Sequence, residues 1–125
     1  MGADATAATA RQRAGQDHLL ARFARLMWER YAARVYLFGS RARGTANAES
    51  DYDVVVVSRR FEGQRRIGRA VDLYPIWHEA GGWGIGLDLR CYTPEEFRAQ
   101  VAGLGYLGHA KRQGELIRLG VRGAA

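Results

Sequence analysis

Cysteine, proline and lysine are scarce in this chain, and long apolar runs are missing. One cysteine, Cys91, leaves no partner for an internal disulfide and excludes a thiolate zinc cluster. It reads as a small core side chain in a strand rather than as a nucleophile. The three histidines, His18, His78 and His109, share no spacing with one another or with Cys91 that would hold zinc. No apolar run approaches the roughly 18 residues that a membrane-crossing helix needs, so no membrane partner is expected. No basic and apolar leader opens the chain, where Met1 to Ala14 is an alanine-rich polar run, and the expected location is the cytoplasm. Heptads, internal repeats and long low-complexity tracts are also missing.

What is present suits one small packed domain. Of 125 residues, 47% are apolar and 26% charged, which predicts a core rather than disorder. The net charge is +6, and the basic residues are nearly all arginine, with Lys111 the one lysine. Arginine suits bidentate contact with phosphate or carboxylate, so an anionic partner is admitted. The surplus is scattered and forms no basic arm, which leaves direct nucleic-acid binding open without favouring it.

Apolar spacing predicts a first helix over about 17–33, with Leu19, Phe23, Leu26, Met27 and Tyr31 on one face. Thr9 with Gln12 offers an earlier helical cap. A short strand over 35–38 ends at Gly39-Ser40, and 41–50 reads as a short helix or turn followed by loop. Four valines, Val54 to Val57, without polar alternation predict a central strand buried on both faces. Ile67, Ala70, Val71 and Tyr74 fit a helix that Pro75 disturbs. Strand alternation runs from Ile85 to Tyr92. Thr93, Pro94 and Glu96 form a helix start with a capping box, and that helix should reach about Gly103. A helix over 106–113 and a strand over 115–119 follow, and Tyr106 reads as a core residue. These elements predict a small α/β domain with three or four strands and covering helices. The domain spans 17–120, with 1–16 a flexible segment or helix extension and 121–125 a tail.

The chemistry concentrates in LFGSRARGTANAESDYDVVVV, residues 37–57. Asp51 and Asp53 lie two apart at the mouth of the valine strand, a spacing that turns both carboxylates to one side. Such a pair repels itself unless a cation or proton intervenes, and hard oxygen ligands suit Mg²⁺. Upstream, Gly39 lets the backbone approach a phosphate, Ser40 adds a hydroxyl donor and Arg43 adds charge. Gly44 lets the chain turn back toward Asp51. A third carboxylate is expected on a neighbouring strand, with Asp88 the natural candidate and Asp72 its rival.

GSRARG followed by SDYD and VVVV resembles the minimal nucleotidyltransferases of the DNA polymerase β superfamily. That pattern is a GS turn, an arginine–glycine pair, a short gap and DxD heading a hydrophobic strand. Gly39, Ser40, Arg43, Gly44, Asp51 and Asp53 meet it in full. LDLRCYTPEEF is similar to the family's third-aspartate segment, which favours Asp88 over Asp72. The resemblance covers about residues 20–119. It implies a small mixed β-sheet with helices mainly on one side, and two Mg²⁺ ions with a nucleoside triphosphate, ATP, at Asp51, Asp53 and Asp88. Gly39, Ser40, Arg43 and Gly44 would bind the phosphates. Many members resemble antitoxins encoded beside a toxin of the higher-eukaryote-and-prokaryote nucleotide-binding (HEPN) class, and some are held to transfer AMP to a tyrosine of that partner.

Two functions follow from this resemblance, and a third draws on the positive charge. The chain transfers AMP to a tyrosine of a cognate HEPN toxin, or neutralises that toxin by binding alone, or modifies an RNA 3′ end or a small molecule. The segment between Ser58 and the Asp88 strand, with Trp77, Trp83 and Gly81 to Gly86, is a candidate partner surface. Pairing of subunits through the first helix or last strand is compatible with the pattern.

Overall fold

The structure is a computed structural model that describes residues 18–121. The expectations for 1–16, including the Thr9 cap, and for 122–125 fall outside the described residues. Helix α1 is described from 18 to 31 and buries Leu19, Phe23, Ala24 and Met27, as the spacing of three and four predicts. Leu26 and Tyr31 sit at the margin of that packing.

Strands β1 (Arg34–Phe38), β2 (Tyr52–Val57), β3 (Leu87–Tyr92) and β4 (Ile117–Leu119) form one sheet in the order β3-β2-β1-β4. β2 runs antiparallel to β1 and parallel to β3, and β4 is antiparallel to β1. The sheet is therefore mixed. Val54 to Val57 are each exposed by 1% or less, so the valine strand is central and covered on both sides. Val54 and Val56 join the larger cluster with Phe23, Met27, Phe61 and Trp77. Val55 and Val57 join Phe38, Tyr92, Phe97 and Leu107 in a smaller cluster on the opposite face. Most covering structure thus lies on the α1 face, and the second face is left partly open beyond the smaller cluster.

The five-residue helix α2 (Gly39–Arg43) follows β1 directly, and a glycine with positive φ stands at each end of it, Gly39 at 75° and Gly44 at 78°. A 3₁₀ turn at Arg59–Phe61 and helix α3 (Arg66–Arg69) lead to α4 (Tyr74–Glu79). Here the predicted helix fails. Ile67 and Val71 are 94% and 65% exposed, and α3 closes after four residues. Pro75 does not disturb a helix but opens α4, because a first-turn residue needs no intrahelical N–H partner. The face that packs belongs to α4, through Ile76 and Trp77. Trp77 meets Phe23 and Tyr52 edge-on, and its indole donates to the Ile85 carbonyl at 2.9 Å.

Helix α5 (Pro94–Ala102) begins with the predicted capping box, in which the Thr93 hydroxyl accepts from Glu96 N and Glu96 accepts from Thr93 N. Helix α6 (Tyr106–Arg112) follows. Cys91 is buried in β3, and burial pushes its thiol up to about 12, which fits a core side chain. Among the described residues, no helix is long and apolar enough to cross a membrane.

Candidate active site

The register of β2 against its neighbours sets the site. Asp53 is the Cα partner of Phe38 on one side and of Asp88 on the other. In a parallel pair, residues in register present their side chains to the same face about 5 Å apart. Asp53 and Asp88 therefore stand together on the less covered face. Gly39 underlies Asp53: a Cβ built on Gly39 would lie 2.2 Å from Asp53 Oδ2. The turn expected to hold phosphate and the strand-end carboxylate are thus in direct contact.

Asp51 precedes β2 and is exposed. Its Oδ1 would lie 1.9 Å from a Cβ on Gly86, whose carbonyl accepts from Tyr52 N at 2.9 Å. With Leu19, Arg22, Gly81 and Gly84, Asp51 lines a cavity of about 550 Å³. It stands at the margin of the Asp53–Asp88 pair rather than beside both. Among the described residues, no three His, Cys, Asp or Glu side chains converge closely enough to hold a metal ion. Asp72 lies exposed on the turn between α3 and α4, in no strand, and takes no part.

Burial raises the Asp53 pKa first, and the charge of Asp88 raises it further, with a smaller push from Asp51. Arg90 and Arg43 oppose this shift. A half-buried carboxylate facing a second carboxylate is a place where a cation is favoured. The donor atoms are all hard oxygens, so the Asp53–Asp88 pair, with Asp51 only at its margin, suits a divalent ion such as Mg²⁺ in donor chemistry.

Ser40 sits half-buried in α2, and its carbonyl accepts from Gly44 N and from Thr45 N. Arg43 is exposed and reaches toward the Tyr106 hydroxyl at 3.4 Å. Two neighbours, Arg41 and Arg90, were not singled out by the sequence. Arg41 lies 3.9 Å above the Tyr52 ring and donates twice to the Ser50 carbonyl, at 2.6 and 3.1 Å, tying the 44–50 loop to the mouth of β2. Arg90, two residues past Asp88, was signalled only by strand alternation. Tyr106 is 51% exposed rather than core, because α6 turns it over the edge of Phe38. Trp83 is 74% exposed and stacks on His78, with ring centroids 4.0 Å apart.

The nucleotidyltransferase domain family matches residues 20–102, which include the GS turn and all three aspartates. The chain belongs to that family. A crystal structure of a proposed nucleotidyltransferase from Sulfolobus solfataricus has a similar fold, with a TM-score of 0.53 and 18% identity over 98% of this chain and 91% of that one. At that identity the likeness speaks for the fold alone. No curated protein matches the chain. For this nucleotidyltransferase domain, family and fold support nucleotidyl transfer as the general activity.

Proposed function

We propose that the domain transfers AMP from Mg²⁺-bound ATP to a hydroxyl, and that the acceptor is a tyrosine of a cognate HEPN toxin, which makes the chain an antitoxin. The observation that carries the chemistry is the contact of Gly39 with the Asp53 carboxylate, beside Asp88 on the next strand. It joins a backbone suited to phosphate with carboxylates suited to a cation.

In this reading Gly39 and Ser40 receive the outer phosphates, while Arg43 adds charge from the end of α2. The acceptor oxygen bonds the α-phosphorus, the bond to the β-phosphate breaks, and the outer phosphates leave as pyrophosphate. Asp51, Asp53 and Asp88 would hold Mg²⁺, which when bound offsets phosphate charge and lowers the pKa of an acceptor hydroxyl. Asp88, exposed on β3, is the carboxylate best placed to orient that hydroxyl and accept its proton. Gly44 and Arg41 keep the loop closed so that Asp51 stays at the strand mouth. In this reading a protein partner brings the acceptor to the domain, residues 17–120. The resemblance to antitoxins of HEPN toxins names that partner class, and the cytoplasm is the matching location.

Exposed Trp83 and Ile67 lend weight to a second reading, in which the antitoxin neutralises by binding alone. One experiment separates the two. Purified protein, ATP labelled at the α-phosphate and Mg²⁺ are incubated with host lysate, with Asp53→Asn as control. A labelled protein band that the control lacks supports AMP transfer. A labelled RNA band moves the acceptor to RNA. No label from any nucleoside triphosphate, with the protein folded, leaves the binding antitoxin.

A further inference from the structure

Arg90 is a cation on the site face that the family pattern does not require. It follows Asp88 by two residues on β3, so its side chain leaves the sheet on the same face as Asp88 and Asp53. Its guanidinium carbon lies 5.5 Å from the Phe38 ring centroid and 5.9 Å from that of Tyr106. Arg43 reaches the same tyrosine from α2, through its hydroxyl. Arg30, Arg66 and Arg69 each pair with a glutamate, but neither Arg43 nor Arg90 is ion-paired with a carboxylate among the described residues. A guanidinium held against aromatic rings, as that of Arg90 is, keeps its donors free for an incoming anion, and Arg43 turns only one donor to the Tyr106 hydroxyl.

We propose that Arg90 and Arg43 form a two-arginine clamp, meeting at Tyr106, that binds the outer phosphates of a polyphosphate substrate. The clamp rests on the triphosphate reading of the site and deepens it, because it sets the pyrophosphate end on the α6 side of Asp53 and Asp88. An anion placed beside two carboxylates needs offsetting charge, and two guanidinium forks suit a chain of phosphates better than a single one. Both arginines are also near enough to act on the charge of Asp53. Tyr106 positions the two, one through its ring and the other through its hydroxyl.

The test is calorimetric titration of the full chain, in Mg²⁺, with ATP, inorganic tripolyphosphate and adenosine. The variants are Arg90→Gln and Arg90→Lys, and because Arg90 is exposed both should fold. Arg90→Gln is expected to weaken tripolyphosphate and ATP about tenfold or more while leaving any adenosine affinity unchanged. Arg90→Lys should recover part of the loss and lower the salt dependence less than glutamine does. Equal affinity of wild type and Arg90→Gln for whichever polyphosphate binds overturns the clamp and leaves nucleotidyl transfer standing. Tripolyphosphate binding that depends on Arg90, without ATP binding, keeps the clamp and removes the nucleotide reading. Failure of the wild type to bind either one overturns both.

Discussion

The Asp53 carboxylate fills the space that a side chain on Gly39 would need, with Oδ2 2.2 Å from the position of a Cβ there. Gly39 also has φ of 75°, so two separate constraints select glycine at this turn. Gly39→Ala is expected to cost about 1–3 kcal/mol in stability and to reduce transfer about 100-fold by moving Asp53. Gly44 offers a control, since its φ is 78° but nothing lies within 4 Å of an added Cβ. Gly44→Ala should cost only about 1 kcal/mol, and transfer should fall less than in Gly39→Ala because no Cβ clash displaces Asp53. Urea melts and label transfer on both variants decide the matter; equal losses would remove the special role of the Gly39–Asp53 contact.

Gly86 poses the opposite case. An added Cβ would meet Asp51 Oδ1 at 1.9 Å, yet Asp51 is exposed and its carboxylate can swing away. Gly86→Ala should therefore leave stability within about 0.5 kcal/mol of wild type. Displacement of Asp51 should instead raise the Mg²⁺ concentration needed for half-maximal transfer, by about 10-fold or more. A Mg²⁺ titration of activity checks this, and an unchanged midpoint would show that Asp51 works equally well when displaced.

The contrast between these glycines marks what a sequence can show. Gly39 stood inside a motif with a physical reason for each residue, whereas Gly86 matters only because β3 pairs with β2 in one register. The valine strand was readable because four consecutive β-branched residues have no polar face to offer water. The start of α5 was readable because Thr93 and Glu96 satisfy each other locally. Ile67 and Val71 misled because a spacing of four marks a helix face but does not say whether anything covers it. Arg90 and Tyr106 were hidden for a similar reason. Their meeting over Phe38 depends on β3, α6 and β1 coming together, which no local pattern encodes.

Asp53 gives a stability effect opposite in direction to its functional one. Burial and the Asp88 charge raise its pKa above the ordinary 3.8, so the folded chain holds the Asp53 proton more tightly than the unfolded chain. Stability from this group is then present at low pH and lost as pH rises from the unfolded value through the folded one. Asp53→Asn removes that cost. At pH 7 and without divalent cations the variant should be slightly more stable, by less than about 1 kcal/mol after solvent screening. The gain should disappear below about pH 3.8, where wild-type Asp53 is protonated in both states. Transfer should fall about 1000-fold or more. Urea melts in chelator at pH 7 and pH 3 test the sign, and a variant less stable at pH 7 would refute this electrostatic account.

Glu96 behaves the other way and far from the carboxylate pair. The Arg69 guanidinium donates to Glu96 Oε1 at 2.6 Å and Thr93 N donates at 2.7 Å, which together hold the carboxyl down at about 2. Arg69 is only 5% exposed and also donates to the Cys91 carbonyl at the outer edge of β3. A depressed carboxylate stabilises the fold at pH values above its unfolded value of 4.5, and that contribution is lost as pH falls toward about 2. Glu96→Gln keeps the shape but removes the charge that a buried guanidinium requires, so it should cost about 1–2 kcal/mol at pH 7. The gap between variant and wild type should narrow steadily on acidification and be nearly closed at pH 2. Because the pair braces β3 from its outer edge, tripolyphosphate affinity should stay unchanged in the folded variant. Denaturant melts across this pH range provide the check: a gap that persists at pH 2 would mean that glutamine fails through packing, and that the Glu96 charge contributes little.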